Sequence, residues 1–302
     1  MAKAQNQFDR IIYETGLVRI GAFRCHPAHP SFQDSGPAGN YCFVFPRTAV
    51  EIQHEHEPAF VANPNIVTFY NSGQSYWRNA ISPKGDHCDW FGVEAQLVRD
   101  VVRGYDRQVD DRPERPFVLT RGFADAATYL LQRSLFARAA TGEGIEPLVV
   151  EETVVDLLDR VVRSAYGCRR LAHPADVSSS QRATIHEIET ILSRRPEEPL
   201  TLKGIAREVG LSPYHVCRLF RRVTGTKLHQ YRLGLRLRSA LTEVVESARP
   251  LTDIALDAGF SSHSHFTDSF RHEFGVTPSV ARTVRRAKCV SNFLIASPSF
   301  LG

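Results

Sequence analysis

IAREVGLSPYHVCRLFRRVTG, residues 205–225, and IALDAGFSSHSHFTDSFRHEFG, residues 254–275, are two versions of one pattern. In each, Ile-Ala opens a short helix, a glycine follows (Gly210, Gly259), an apolar residue comes next (Leu211, Phe260), and a second helix starts behind a serine, Ser212 or Ser262. Glycine suits the point where the first helix stops, because the chain there needs a positive φ that a Cβ resists. Serine suits the entry to the second helix, where its hydroxyl accepts an orphan backbone N–H. The repeat predicts two helix-turn-helix units. On the second helix of the first unit, Val216, Leu219, Phe220 and Val223 share an inward face opposite Tyr214, Arg218 and Arg221, with His215, Cys217 and Arg222 on the flanks. In the other unit Phe266, Phe270 and Phe274 point inward and Ser264, Thr267, Asp268 and Arg271 outward, with His263 and His265 at the edges. Arginine pairs bidentately with guanine and hydroxyls bond bases or phosphates, so these faces suit a DNA major groove. Asp268 stands where the first copy has Arg218. A carboxylate there repels phosphate unless it accepts from cytosine N4. A single charged helix face is ordinarily just solvated; two matched, capped copies argue for recognition.

Between the copies, LHQYRLGLRLRSALTEVVES predicts one helix. At about 1.5 Å per residue it spans roughly 30 Å, close to the 34 Å or so between successive major grooves on one face of a duplex. Arg232, Arg236 and Arg238 on it are candidate phosphate contacts. The charge distribution agrees: residues 1–180 hold 19 Lys and Arg against 22 Asp and Glu, a net −3, whereas residues 181–302 hold 18 against 11, a net +7. A chain of 302 residues is long enough for two domains. A composition of 42% hydrophobic and 23% charged residues argues against wholesale disorder and membrane burial.

Residues 8 to about 120 are expected to form short antiparallel strands, as a barrel or double sheet, because RIIYETGLVRIGAF, YCFVFPRTAVEIQH, AFVANPNIVTFYNSG and CDWFGVEA alternate with turn clusters such as HPSFQDSGPAGN and AISPKGDH. The repeated prolines argue against long helices there. Two helices follow over about 122–168, ADAATYLLQRSLFARAA and PLVVEETVVDLLDRVVRSAYG, the second ending at Gly167. Its apolar stripe, with Leu148, Val149, Val155, Leu158 and Val162, packs on the sheet or forms a dimer contact. LAHPADVSSSQ is the linker candidate, which puts the boundary near Ser179. No secretory h-region occupies the first thirty residues and no later run is long enough to span a bilayer, so a cytoplasmic protein with no membrane partner is expected. Cys25, Cys42, Cys88, Cys168, Cys217 and Cys289 are far apart, as expected of reduced thiols.

Residues from about 185 to 286 resemble the DNA-binding domain of the AraC/XylS transcription regulators. The resemblance rests on the doubled helix-turn-helix, on the joining helix with Tyr231, Arg232, Arg236, Leu237 and Ala240, and on the closing GFSSHSHFTDSFRHEFGVTPS. It implies a regulator, usually an activator, that binds double-stranded promoter DNA through both recognition helices and often contacts RNA polymerase. By position, Tyr214, His215, Cys217 and Arg218 match the family's first base-reading segment, and Ser262, His263, Ser264, Thr267 and Asp268 the second. Cys217 and Asp268 depart from the polar or basic types common there. Residues 10 to 170 are similar, more loosely, to the family's cupin-like sensor domain, through VFPRTAVEIQH, AFVANPN and GDHCDWFGV. The expected fold is therefore α+β: a cupin-like barrel with helices for sensing and dimerisation over residues 1–178, an all-α DNA-binding domain over 179–290 with two helix-turn-helix units joined by a long helix, and a tail over 291–302.

For a small-molecule effector, the candidate contacts are Arg47, His54, Tyr70, Tyr76, Trp77, Asp86, His87 and Trp90, from strands and their mouths. The plainer alternative is that the aromatics fill the barrel and Arg47 pairs with an acidic neighbour. His54 and His56 form an HxH pair on a strand, where both side chains face one way, which offers a rival reading as a metal-binding and possibly enzymatic cupin. The chain lacks the glutamate expected a few residues downstream, running instead into Pro58 and AFVANPN, so neither metal, cofactor nor enzymatic activity is expected. Cys88 is the best candidate for a redox thiol, although Asp89 beside it raises a thiol pKa. Cys25 and Cys42 are too isolated for a zinc-bound alkyl acceptor.

Overall fold

The structure, a computed structural model, describes residues 8–34, 36–142, 145–171 and 177–283. Part of the linker candidate (172–176), Cys289 and the tail 291–302 lie outside the described residues. The strands are β1 (Asp9–Glu14), β2 (Val18–Cys25), β3 (Tyr41–Pro46), β4 (Val50–His54), β5 (Phe60–Ala62), β6 (Ile66–Tyr70), β7 (Tyr76–Ala80), β8 (Asp86–Val93) and β9 (Arg121–Phe123). They make a six-stranded sheet in the order β1-β2-β8-β3-β6-β9 and a three-stranded sheet β5-β4-β7. Every described pairing is antiparallel, as the alternating pattern predicts.

The expectation of strands only up to residue 120 misses α1 (Ala95–Arg103), directly after β8. The Glu94 carboxylate accepts from the N–H groups of Gln96 (2.8 Å) and Leu97 (3.2 Å), and Val98 and Val102 are buried one turn apart. Proline punctuates this region without entering that stretch. Helices α2 (Ala126–Thr141) and α3 (Pro147–Leu171) cover the large sheet. Gly167 does not end α3, which runs four residues further. A glycine inside a helix costs only about 1 kcal/mol, and Val161, Val162 and Ala165 anchor that end in the core. At β9 the strand lies so close to α3 that a Cβ on Gly122 would stand 2.8 Å from that of Ala165. The stripe on α3 is divided: Leu158 and Val162 are buried in the chain's own core with Val150, Val154, Leu157 and Val161, while Val149 and Val155 are half-buried and Leu148 is exposed.

Seven helices follow: α4 (Ser179–Arg194), α5 (Leu202–Glu208), α6 (Pro213–Thr224), α7 (Leu228–Glu246), α8 (Leu251–Asp257), α9 (His263–Phe274) and α10 (Pro278–Thr283). Ile188, Leu192, Ile205, Val216, Phe220, Tyr231 and Leu235 form one core beneath α6. Under α9, Phe260, Phe266, Phe270 and Phe274 join Leu237, Leu241 and Val244, and this cluster is continuous with the core of α2, α3 and the large sheet. Consequently α2 is buried on every side, from Thr128 to Ala137, because it has the sheet on one flank and α7 and α9 on the other.

A buried polar seam ties the strands to the C-terminal helices. Asn63 donates to Ser193 Oγ (2.9 Å) and to the Tyr231 hydroxyl (2.8 Å), and Asn65 donates to the Tyr231 carbonyl (2.9 Å). Arg238 donates to Asn65 Oδ1 (2.6 Å) and to the Ala124 carbonyl (2.9 Å). The AFVANPN segment is thus the docking surface for α7. Further along, Asp89 of β8 accepts from Arg133, from Gln132 (2.7 Å) and from Arg47 (2.8 Å), while both arginines also pair with Glu246 at the end of α7. His186 of α4 meets Glu51 of β4 at 2.7 Å.

Gly234 sits in the middle of α7, where alanine ordinarily stabilises a helix by about 0.5–1 kcal/mol. A Cβ there would stand 2.5 Å from Arg238 Nη1 and 2.8 Å from Asn65 Oδ1. Gly234→Ala is therefore expected to destabilise by about 1–3 kcal/mol through overpacking and lost buried hydrogen bonds; an unchanged or raised urea midpoint would remove the seam's structural weight.

Candidate nucleic-acid interface and ligand cavity

The two helix-turn-helix units are built alike down to individual hydrogen bonds. Gly210 (φ 66°) and Gly259 (φ 78°) occupy the left-handed region that the turn requires. Directly after them, Leu211 donates to the Ala206 carbonyl and Phe260 to the Ala255 carbonyl, each at 3.0 Å. Ser212 accepts from His215 N–H (3.3 Å) and Ser262 from His265 N–H (3.2 Å), and each recognition helix closes on a left-handed glycine, Gly225 or Gly275, with φ 73°. The second unit has one extra turn residue, Ser261, between glycine and cap. With the caps aligned, Val216 matches Phe266 and Phe220 matches Phe270, all fully buried.

On α6, Tyr214 (64% exposed), His215, Cys217, Arg218, Arg221 and Arg222 all face solvent. Arg218 lies over the Tyr214 ring at 5.5 Å and donates to its hydroxyl at 3.1 Å, an arrangement that stiffens the guanidinium. On α9, His263, Ser264, His265, Asp268 and Arg271 are exposed, with the His265 ring edge-on to Phe260. Thr267 differs from expectation: it is half-buried and its hydroxyl is enclosed without a hydrogen-bond partner among the described residues, because helical periodicity sets this position beside Phe270 and Phe274 on the inward face. The arginines of α7 also depart from expectation. Arg232 donates to the carbonyls of Pro196 (2.8 Å) and Glu198, Arg236 to the Ala258 carbonyl (2.7 Å), and Arg238 is buried in the seam. They brace the helices internally, so the exposed arginines of the recognition helices, on α6 and at Arg271, are joined by Lys203 and Arg207 of α5 rather than by the arginines of α7.

Between the two sheets lies a cavity with an empty volume of about 810 Å³, partly open to solvent. Tyr70, Tyr76, Asp86 and Trp90 line it, together with Asp9, Phe23, Cys42, Val44, Val50, Ile52, Thr68, Arg78, Cys88 and the 36–40 loop. Four expected contacts fall elsewhere. Arg47 belongs to the seam, paired with Asp89 and Glu246. Trp77 alternates with Tyr76 on β7 and is 42% exposed. His87 lies between Asp86 and Cys88, on the opposite pleat of β8. His54 is fully buried against Tyr70 (ring centroids 4.7 Å) and Phe60 (5.7 Å) and does not reach the cavity.

Arg78 was the residue that sequence reading missed. It is 1% exposed, donates to Asp86 (2.6 Å) and to the Phe32 carbonyl (2.6 Å), and lies 4.3 Å over the Phe23 ring. The signal was present: period-two alternation in YWRNA carries Arg78 to the same face as Tyr76. The HxH geometry fails because β4 ends at His54; His56 has φ 65°, in a turn, and is exposed. Among the described residues no three His, Cys, Asp or Glu side chains converge as a metal site. Burial pushes the Cys42 thiol up to about 12 and holds Cys88 well above its ordinary value, with Asp86 and Asp89 adding to the rise. Both stay protonated and poorly nucleophilic at neutral pH.

A family described as "Helix-turn-helix domain" matches residues 205–283. The chain is similar to Transcriptional regulator Rob of Salmonella typhimurium, 34% identical over 122 residues, which cover 40% of this chain and 41% of that protein. It therefore spans less than half the length of that relative. Regulatory protein SoxS of the same species is 39% identical over 83 residues, covering 28% of this chain and 78% of SoxS. Among solved structures, a transcriptional regulator with an AraC-type DNA-binding domain from Chromobacterium violaceum is 32% identical, covers 36% of this chain and 96% of its own, and superposes with a TM-score of 0.34. Among the described residues no helix is long and apolar enough to cross a membrane.

Two predictions follow from the geometry. Gly210→Ala is expected to cost about 1–2 kcal/mol, the strain of a left-handed L-residue, because nothing lies within 4 Å of the added Cβ. Gly259→Ala should cost distinctly more, since its Cβ would also collide with the Glu197 carbonyl; equal losses in thermal unfolding would contradict this. For His54, burial pulls the imidazole from 6.5 down to about 4, and neither ring nitrogen has a hydrogen-bond partner. The unfolded chain takes up the proton first, so the stability associated with neutral His54 is complete above about pH 6.5 and is lost as the pH falls toward 4. His54→Phe should make the urea midpoint less sensitive to pH across that interval.

Proposed function

Because the chain belongs to the AraC/XylS family, we propose that it is a sequence-specific DNA-binding transcription regulator whose N-terminal β-structure takes a small-molecule effector. The observation that carries this reading is the pair of identically capped recognition helices, α6 and α9, exposed on either side of one 19-residue helix. Helix α7 is about 28 Å long at 1.5 Å per residue, which supports simultaneous insertion of α6 and α9 into successive major grooves. In this reading Tyr214, His215, Cys217 and Arg218 read bases from α6, and His263, Ser264 and Asp268 read them from α9. Ser212 and Ser262 act as caps that aim backbone N–H groups at phosphate, and Arg221, Arg222 and Arg271 supply the sequence-independent charge. Thr267 contributes through its exposed edge alone.

Residues 8–171 form the sensing unit and 179 onward the DNA-binding unit, with the barrel-like pair of sheets supporting the cupin-like reading. Strand β8 supports coupling between the two. Asp86, Cys88 and Trp90 line the cavity, and Asp89, from the opposite pleat, holds Arg133, Gln132 and Arg47. A ligand that displaces the cavity face of β8 therefore acts on the carboxylate that secures Glu246 and the end of α7.

The DNA reading is tested with the full chain and a duplex enriched by it from a random pool. Arg218→Ala is expected to cost about 1–3 kcal/mol on the enriched duplex and little on random DNA. Arg222→Ala should weaken both duplexes by similar factors and flatten the salt dependence by about one unit of slope. Equal losses for both variants on both DNAs would overturn the division between base reading and phosphate contact.

A further inference from the structure

Among the described residues, the charged side chains lining the cavity are Asp9, Asp86 and Arg78. Two carboxylates face one guanidinium, and that guanidinium is already committed: Arg78 donates to Asp86 Oδ2 and the Phe32 carbonyl and stacks on Phe23. Among the described residues, Asp9 accepts a hydrogen bond from the neutral indole N–H of Trp90, at 3.0 Å. The cavity thus holds an excess of one negative charge in partly desolvated surroundings. Burial correspondingly pushes both the Asp9 and the Asp86 carboxyl groups above the usual carboxylate range, with Arg78 acting in the opposite direction.

The remaining lining is mostly aromatic or aliphatic, with Asn40, Thr68 and the thiols of Cys42 and Cys88 as its neutral polar groups. Tyr70, Tyr76 and Trp90 are among the lining rings, and Val44 of the large sheet and Val50 and Ile52 of the small one are apolar lining from the two sides. The Trp90 ring lies directly on the backbone of Gly21, its register partner on β2, where any Cβ would overlap the indole. Glycine at this position keeps the ring flat against the sheet and the cavity open. Carboxylates set among aromatic rings stabilise a cation through both Coulomb attraction and ring quadrupoles. An anionic ligand, by contrast, would have to take Arg78 from Asp86 and leave a buried carboxylate uncompensated.

We propose that the cavity binds a small organic cation, an amine whose ammonium sits between Asp9 and Asp86 and whose apolar body lies against Val44, Val50 and Ile52. This rests on the reading of the cavity as the effector site. The test uses calorimetric titration of the full chain with three probes of one shape: 2-phenylethylammonium, 3-phenylpropionate and 2-phenylethanol. The expected result is saturable binding of the ammonium at least about tenfold tighter than of the other two. Asp9→Asn, which retains an acceptor for Trp90, should shrink that preference to about twofold or less, and Gly21→Ala, which drives the indole into the cavity, should abolish binding of all three. Thermal unfolding of each variant verifies that it is folded; should Asp9→Asn not fold, Trp90→Phe serves in its place and is expected to weaken the ammonium selectively. If the carboxylate or the alcohol binds as tightly as the ammonium, the cation class is overturned while the cavity remains a ligand site. If none of the three saturates below about 10 mM, both the cation class and the effector reading of the cavity fall.

Discussion

A carboxylate removed from water must be matched by cations and donors held in place around it, and Asp89, fully buried on β8, imposes that requirement on this chain. It is met by Arg133 and Gln132 from α2 and by Arg47 from the turn after β3, each of which must be ordered for Asp89 to be tolerated. Both arginines then reach Glu246, so the end of α7 is drawn into the same arrangement. Loss of either arginine leaves Asp89 and Glu246 to share one cation, and an unbalanced buried charge costs up to about 3–5 kcal/mol. The two halves of the chain are joined by a constraint that does not tolerate partial satisfaction.

The second row of contacts reinforces the first. Asn63 and Asn65 reach Tyr231 and Arg238 nearer the middle of α7, and Gly234 gives them the space to do so. Because α7 is the rigid bar between α6 and α9, docking it on the sheet also sets where the two recognition helices stand. The cost of this arrangement falls on electrostatics: Arg232, Arg236 and Arg238 bond carbonyls and Asn65 rather than facing solvent, which withdraws them from the exposed basic surface around the recognition helices.

The helix-turn-helix repeat was legible because its determinants are local. Glycine at positive φ, serine at an N-cap and apolar residues at three- and four-residue spacing each act within a few residues, and all appear where the pattern of Gly210, Ser212 and Phe220 placed them. The antiparallel strands were legible for the same reason. The cavity was only half legible. Alternation brought Tyr70, Tyr76, Asp86 and Trp90 inward, but the strand end at His54 broke the HxH register, and Arg47 was claimed by partners 42 and 199 residues away. Helix α1 escaped notice because the prolines around it obscured a capped, nine-residue stretch.

By itself the sequence determined the two helix-turn-helix units and the helix that joins them, the faces of α6 and α9, and the uneven charge of the chain, since these depend on periodicity, capping and composition, whereas α4 and α10 were not singled out. Only the tertiary structure decided that α2 is buried between the sheet and α7, that AFVANPN docks a helix, that Thr267 turns its hydroxyl inward, and that Arg78 and Asp86 pair on the wall of the cavity. Those outcomes depend on which distant groups share one desolvated space, and the energy of a buried charge is set by that neighbourhood rather than by the residues beside it in the chain.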